Sequence, residues 1–105
     1  MKDKKAKEIV SIDLRSIKNA VTDFFVICHA DSKVHIESIA KSVEETVLDK
    51  YGEEPFHREG KANSEWILLD YLNVVVHIFM HEQREFYGLE RLWADAEIQR
   101  IAGNY

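Results

Sequence analysis

Alternating and continuous apolar runs along the chain predict the strands of a β-sheet. Residues 8–14 alternate loosely, with Val10, Ile12 and Leu14 on one side, which indicates a first strand. Residues 24–28 are continuously apolar, which is typical of a central strand that is buried on both faces. These two segments therefore predict the interior of a sheet.

Two further apolar runs lie close together in the second half of the chain. Residues 66–69 and 74–80 are separated by Asp-Tyr-Leu-Asn at residues 70–73, which predicts an antiparallel hairpin. Residues 56–59 follow Pro55 and form a weaker extended segment. Because proline cannot donate to the hydrogen-bond ladder, this segment is predicted at or near a sheet edge.

Two segments have the periodicity of amphipathic helices. Ser32 offers an N-cap oxygen before the first helix, and Gly52 offers a left-handed residue after it. The apolar stripe of this helix has three- and four-residue spacing and comprises Ile36, Ile39, Ala40, Val43 and Val47. A second helix is predicted to begin near Glu82. Its predicted buried face comprises Phe86, Leu89, Trp93 and Ala96, and Ile101 continues the period.

The order of these elements is strand, strand, helix, three strands, helix. A helix after the second strand allows a parallel crossover, whereas the later hairpin must be antiparallel. A chain of 105 residues is long enough for one core and too short for two. We therefore predict a single α/β domain over residues 1–105, with a mixed β-sheet of about five strands covered by helices.

The charge balance bears on the kind of partner. The formal net charge is -5, which argues against binding nucleic acid through phosphate contacts and suits a basic protein partner. The basic cluster at the N-terminus is better explained as a solvated helix end than as an RNA-binding arm. It comprises Lys2, Lys4, Lys5 and Lys7.

Cysteine content and hydropathy bear on the cellular setting. Cys28 is the only cysteine, so neither an intramolecular disulfide nor a sulfur-rich zinc site is expected, and its apolar run predicts a buried thiol. No apolar run approaches the length of a membrane span, and no secretory leader is visible. A reducing, cytoplasmic setting without membrane contact is therefore expected.

A search for catalytic or metal-binding patterns gives no candidate. His77 and His81 lie on a predicted strand, where a four-residue separation spans roughly 13 Å, too far to share one ion. Nucleotidyl transfer needs paired carboxylates for magnesium, but Asp13, Asp23 and Asp70 are single. No glycine-rich phosphate-binding loop is present. We therefore expect no enzymatic activity, no cofactor and no metal.

Six short segments occur in a specific order over nearly the whole chain. They are Asp23-Phe24-Phe25-Val26-Ile27-Cys28, Ser32 with His35, Glu59-Gly60, Trp66-Ile67-Leu68-Leu69-Asp70, Val74-Val75-Val76-His77, and Arg84-Glu85-Phe86-Tyr87-Gly88-Leu89-Glu90-Arg91-Leu92-Trp93. Together they resemble the ribosomal silencing factor family, also called the Iojap-like proteins. The resemblance implies a nucleotidyltransferase-like topology that lacks the catalytic site.

The resemblance also implies a function and a partner. Members of the family bind the large ribosomal subunit through ribosomal protein L-fourteen, block joining of the small subunit and repress translation when nutrients are short. A translational repressor with little direct nucleic-acid binding is therefore expected. The resemblance further implies that residues 1–7 are the final turns of a longer N-terminal helix, and it makes a homodimer plausible.

Residues 70–73 depart from the family pattern at the hairpin turn. The family usually has Asp-x-Gly-Asp there, whereas this chain has Asp-Tyr-Leu-Asn. Since the glycine is missing, Asn73 is the residue expected to adopt the left-handed conformation. The turn at residues 29–31 also lacks the family's usual glycine.

The candidate partner-binding residues follow from strand alternation and from the resemblance. Trp66, Leu68 and Asp70 share one face of their strand, which the resemblance places on the partner-binding surface. Tyr71 and Glu59 are expected to complete this surface. A strand tryptophan can also belong to the core, but the position of Trp66 after a polar loop favours the surface.

Two further residues, Trp93 and His77, have predicted structural roles, and one alternative function remains open. The helical period places Trp93 in the core, and His77 is expected to be a hydrogen-bonded structural histidine. The alternative function is a nucleotide-binding or antitoxin-like regulatory module of the same fold. Stabilisation by nucleotides with magnesium would distinguish that alternative from a ribosome-binding protein.

Overall fold

The computed structural model describes residues 7–17, 22–61, 65–92 and 96–101. These residues form six strands and three helices. In chain order the elements are β1 (Lys7–Asp13), β2 (Phe24–Ala30), α1 (Lys33–Tyr51), β3 (His57–Lys61), β4 (Trp66–Asp70), β5 (Val74–Met80), α2 (His81–Tyr87), α3 (Leu89–Leu92) and β6 (Glu97–Arg100). Residues 1–6, where the end of a helix is predicted, lie outside the described part of the chain.

The strands form one mixed sheet in the order β3-β4-β5-β2-β1-β6. Among these strands, β2 and β5 pair in parallel and the other neighbouring pairs are antiparallel. The predicted α/β domain with a mixed sheet is confirmed, with six strands in place of about five. The weak strand β3 lies at a sheet edge as predicted, and β2 lies in the interior between β5 and β1.

Local sequence signals set both ends of α1. The Ser32 hydroxyl accepts a hydrogen bond from the His35 amide at 3.2 Å. Gly52 has a φ of 66° and donates its amide to the Leu48 carbonyl at 2.9 Å, which ends the helix in the left-handed conformation. The predicted apolar stripe faces the sheet. Its buried members are Ile36, Ile39, Ala40 and Val43.

Two apolar clusters lie on opposite faces of the sheet. The first fills the space between α1 and the sheet and includes Cys28, Ala30, Ile67, Leu69, Val76 and Ile78 together with the buried residues of α1. The second lies on the other face and comprises Val10, Ile12, Leu14, Phe25, Ile27, Val75, Phe79 and Ala96, with Ile17, Trp66, Leu68 and Leu89 packed against it. The long helix thus covers only one face.

The C-terminal part of the chain differs from the single helix predicted from Glu82 onward. The helix ends at Gly88, which has a φ of 57° and donates its amide to the Arg84 carbonyl. After α3, the chain forms the edge strand β6, which pairs with β1. Ala96 is buried as predicted, but it precedes a strand instead of lying on a helix, and Ile101 lies beyond that strand.

Parts of that prediction cannot be compared with the structure. Trp93, predicted in the core, lies outside the described residues, and the side chain of Phe86 is likewise not described. Among the described helices, none combines the length and the apolarity needed to cross a bilayer.

The β4–β5 turn also differs from the prediction. Leu72, and not Asn73, adopts the left-handed conformation, with a φ of 73°. The Asp70 carboxylate accepts the Leu72 amide at 2.8 Å, and the Thr22 hydroxyl donates to the Leu72 carbonyl at 2.7 Å. These contacts hold the Leu72 backbone at both ends, so the hairpin closes without a glycine.

Candidate functional site

The side chains of β4 alternate between the two faces of the sheet. Ile67 and Leu69 are buried in the cluster beneath α1. Trp66, Leu68 and Asp70 therefore project from the opposite face, where the structure places them half-buried. The structure thus brings together on one face the β4 residues that were predicted to bind a partner.

The strand register adds Glu59 to the same face. Leu68 pairs with Glu59 on β3 and with His77 on β5. Residues directly opposite each other in neighbouring strands point to the same side of a sheet. We call Glu59, Trp66, Leu68 and Asp70 the sheet-face patch. All members are partly exposed, so a partner could contact them without unfolding the sheet.

Tyr71 does not belong to the sheet-face patch. Its ring packs against the apolar cluster beneath α1, on the other side of the sheet. Its hydroxyl oxygen is buried, and among the described residues no hydrogen-bond partner reaches it. Burial raises the pKa of this hydroxyl, and the nearby Glu44 and Glu53 carboxylates raise it further. The expected grouping of Tyr71 with the other four residues is therefore not what the fold produces.

Trp66 is both a surface residue and a packing residue. Its ring stacks on Phe79, with the ring centroids 4.9 Å apart, and packs against the second apolar cluster. Its indole Nε1 donates a hydrogen bond to Nδ1 of His77 at 3.1 Å. These contacts fix the orientation of the indole while part of its surface stays accessible to solvent. An aromatic side chain held in this way loses little conformational freedom on binding.

His77 supports the patch from below. It is 4 % exposed, and the edge of its ring meets Phe25 with the centroids 4.7 Å apart. Because an indole N–H can only donate, Nδ1 of His77 is the acceptor of this hydrogen bond. His77 is therefore buried and hydrogen-bonded, as expected.

Carboxylates lie on both sides of the apolar part of the patch. One oxygen of Asp70 accepts the Leu72 amide, so this carboxylate also stabilises the β4–β5 turn. Glu59 lies 3.4 Å from Nε2 of His57, in a pair that is exposed to solvent and contributes little to stability. The patch therefore combines an aromatic anchor with negative charge.

Phe79 on β5 supports Trp66, although no pattern in the sequence marked it for this role. The hairpin register pairs it with Trp66, so the two rings lie on the same face and stack. A turn over residues 70–73 would have paired Trp66 with His77, whereas in the structure Asp70 pairs with Val75 and Trp66 with Phe79.

A buried polar cluster joins α2 and α3 to β1 and β2 behind one end of the sheet. The guanidinium of Arg84, 7 % exposed, donates to Glu90 at 2.9 Å and to the Glu8 carbonyl at 2.7 Å. It also lies 2.9 Å from Nδ1 of His29. Burial lowers the pKa of His29, and the charges of Arg84 and His81 lower it further. Through these contacts Arg84 joins α2 to α3, β1 and β2.

The described residues contain no cluster of side chains suited to a metal ion. No group of three or more histidine, cysteine or acidic side chains in residues 7–17, 22–61, 65–92 and 96–101 could hold a metal ion. Asp13 pairs with Arg15, whose hydrogen bonds lower the pKa of the carboxyl to about 2. Cys28 is buried, as predicted, and this burial raises the pKa of its thiol to about 12.

The chain has relatives among characterised sequences. Residues 1–104 match the family described as "Ribosomal silencing factor during starvation". The chain is 37% identical to the ribosomal silencing factor RsfS of Halalkalibacterium halodurans, over 96% of this chain and 85% of that protein. It is 36% identical to the RsfS protein of Bacillus subtilis, over 91% of this chain and 80% of that protein.

Solved structures share the fold. A crystal structure of a Chromobacterium violaceum protein superposes with a TM-score of 0.79 at 27% identity, covering 97% of this chain and 83% of that chain. A crystal structure of a Bacillus halodurans protein superposes with a TM-score of 0.73 at 33% identity, covering 97% and 89% of the two chains. The chain therefore belongs to the ribosomal silencing factor family, a family of ribosome-associated translational regulators and not of enzymes.

Proposed function

We propose that this protein represses translation by binding ribosomal protein L-fourteen on the large ribosomal subunit and blocking the small subunit from joining. The observation that carries the proposal is the sheet-face patch, in which Trp66 is partly exposed yet held by Phe79 and His77. Family membership supplies the ribosome as the general partner. The patch supplies a surface with the composition of a binding hot spot.

Trp66 supports the proposal because its indole is partly exposed and already fixed in one orientation by Phe79 and His77. Tryptophan is among the residues that most often carry the binding energy of an interface, especially near the centre of a contact. The neighbouring Leu68 extends the apolar surface along β4, since it lies on the same face. A partner that covers both side chains would remove apolar area from water without first ordering the indole.

Charge supports a basic partner. Glu59 and Asp70 lie in the patch beside Trp66 and Leu68, and the whole chain has a formal net charge of -5. Acidic groups around an apolar anchor attract a basic protein surface and speed its encounter. Ribosomal proteins are commonly basic, so the charge of this chain agrees with a ribosomal protein as partner.

The direct test measures cosedimentation of Trp66→Ala with purified large subunits. We expect the affinity to fall by roughly thirtyfold, as for truncation of a hot-spot aromatic worth about 2 kcal/mol. Tyr51→Ala is the matched control, because Tyr51 is an exposed aromatic residue outside the patch. Melting curves of both variants establish that the comparison is made on folded protein, since Trp66 also packs on Phe79.

A charge reversal provides a second test that leaves the packing unchanged. Glu59→Lys should weaken binding to isolated L-fourteen, and the loss should shrink as salt is added. Glu97→Lys makes the same change on β6 at the opposite edge of the sheet and should bind as the wild type does. If folded Trp66→Ala and Glu59→Lys both bind like the wild type and still block subunit joining, the proposed surface is wrong.

The oligomeric state and the cellular setting belong to the same proposal. We expect a cytoplasmic protein that forms a homodimer when it is not bound to the ribosome, with the sheet-face patch available to either partner. Sedimentation equilibrium should then show self-association that added L-fourteen reverses. A monomer at all concentrations that still binds the large subunit would remove the homodimer from the proposal and leave the ribosomal contact intact.

A further inference from the structure

A cavity of about 290 Å³ lies between the C-terminal half of α1 and the β4–β5 hairpin. It is on the α1 side of the sheet, and the sheet-face patch is on the other side. Val43, Val47, Val74 and Val76 form apolar walls, and the ring of Tyr71 lies among them. Small-molecule sites have this combination of concave shape, apolar walls and few polar groups, and the volume is near the lower end of their usual range.

The Tyr71 hydroxyl is a buried polar group of the cavity, whose lining also includes Tyr51, Glu53 and Asn73. Its oxygen is buried, and no donor or acceptor among the described residues lies within hydrogen-bond distance of it. A buried hydroxyl that lacks a partner is unfavourable, and a bound molecule that supplies one relieves that cost. The ring itself is held by the core beneath α1, so the hydroxyl cannot readily turn out to solvent.

The charge at the cavity is negative. Glu53 lies on its rim. Glu44 lies close enough to act on the same hydroxyl, but its own carboxylate pairs with Arg58 at 2.9 Å. Burial together with these carboxylates raises the pKa of Tyr71, so the hydroxyl stays protonated and neutral at physiological pH. A cationic group would therefore be favoured at this end of the cavity, and an anionic group would be repelled.

We propose that the cavity between α1 and the β4–β5 hairpin binds a small aromatic amine. The aromatic body lies between the valine walls, and the ammonium group lies at the rim, where Glu53 balances its charge. An ammonium N–H donates to the Tyr71 oxygen. This site is independent of the proposed ribosomal contact, because it uses the opposite face of the sheet.

The test is a titration of the full chain with phenethylamine, followed through backbone amide shifts. Two probes of similar shape carry a different charge: 2-phenylethanol is neutral and 3-phenylpropionate is anionic. We expect saturable shifts at Val43, Val47 and Val76 with phenethylamine, weaker binding of the alcohol and the weakest binding of the carboxylate. A hydrogen bond or a screened charge pair of this kind changes affinity by about three- to tenfold.

Substitutions locate the site. Val47→Phe fills the cavity and should abolish the saturable shifts. Glu53→Gln should weaken phenethylamine by about threefold, the effect of a partly exposed charge pair. Glu54→Gln is the matched control, because it removes the adjacent carboxylate, which does not line the cavity. Val47→Phe and Glu53→Gln should still cosediment with large subunits, so this result is separate from the test of the ribosomal contact.

Three results would overturn the proposal. One is the lack of saturable shifts with phenethylamine at millimolar concentration. Another is binding of 3-phenylpropionate as tight as that of the amine, which would contradict the role of Glu53. The third is a folded Val47→Phe variant that binds phenethylamine as the wild type does, which would place the ligand elsewhere.

Discussion

The left-handed backbone of Leu72 makes a prediction about the β4–β5 turn. Its φ is 73°, and its side chain is 58% exposed. We compare Leu72→Gly with Leu72→Ala, because both changes remove nearly the same side-chain contacts. The hydrogen bonds of this residue involve its backbone amide and carbonyl, so both variants retain the bonds to Asp70 and Thr22. The difference between the variants therefore isolates the backbone conformation.

The magnitude follows from two opposing terms. A left-handed conformation costs a residue with a Cβ about 1–2 kcal/mol. Glycine avoids that cost but loses about 0.5–1 kcal/mol more conformational freedom on folding than alanine does. Leu72→Gly should therefore be more stable than Leu72→Ala by about 0.5–1 kcal/mol. The family pattern Asp-x-Gly-Asp has glycine at this position, which agrees with the sign.

The assay is urea unfolding followed by circular dichroism, with thermal melts as a second readout. A difference of about 1 kcal/mol corresponds to roughly 4–8 °C in a domain of this size. The internal control compares Leu48→Ala with Leu48→Gly. Leu48 is a partly exposed residue of α1, so the alanine variant should be more stable than the glycine variant by about 1 kcal/mol. If alanine is at least as stable as glycine at position 72, the turn is not strained in the way described.

Two further predictions concern the end of the sheet near α2. Burial and Arg84 lower the pKa of His29 below 6.5, so the unfolded chain binds more protons below that pH and the free energy of unfolding should fall as the pH is lowered. His29→Gln should flatten this dependence in urea midpoints measured from pH 8 to about 5. Gly88→Ala should destabilise the protein by about 1 kcal/mol or more, because a Cβ at its φ of 57° is strained and would lie 2.6 Å from Nη2 of Arg91. Thermal unfolding checks this, and an unchanged melting temperature would contradict it.

Local signals account for the parts of the fold that the sequence predicted well. The bounds of α1 follow from Ser32 and Gly52, which satisfy backbone groups at its two ends within a few residues. The alternation of β4 places Trp66, Leu68 and Asp70 on one face because side chains of a strand have a period of two. These features depend on neighbours in sequence, so a single sequence is enough to identify them.

The predictions for Tyr71 and for the C-terminal part of the chain were wrong. Tyr71 continues the alternation of β4 on the side of Ile67 and Leu69, where its ring packs in the core beneath α1, so grouping it with Trp66 went against the strand period. The C-terminal helix was predicted to pass through Gly88, although the left-handed conformation of that residue ends it. Strand β6 has exposed side chains throughout, so no apolar pattern marked it.

The strict alternation of β4 has a consequence for how this surface can change over evolutionary time. Ile67 and Leu69 pack beneath α1, whereas Leu68 between them and Asp70 after them lie on the opposite, partly exposed face. Selection for a stable fold and selection for partner binding therefore act on alternating positions of the same strand. A change in the partner's surface can be followed by substitutions at 68 without repacking the α1 side, so one short strand can track its partner while the domain keeps its architecture.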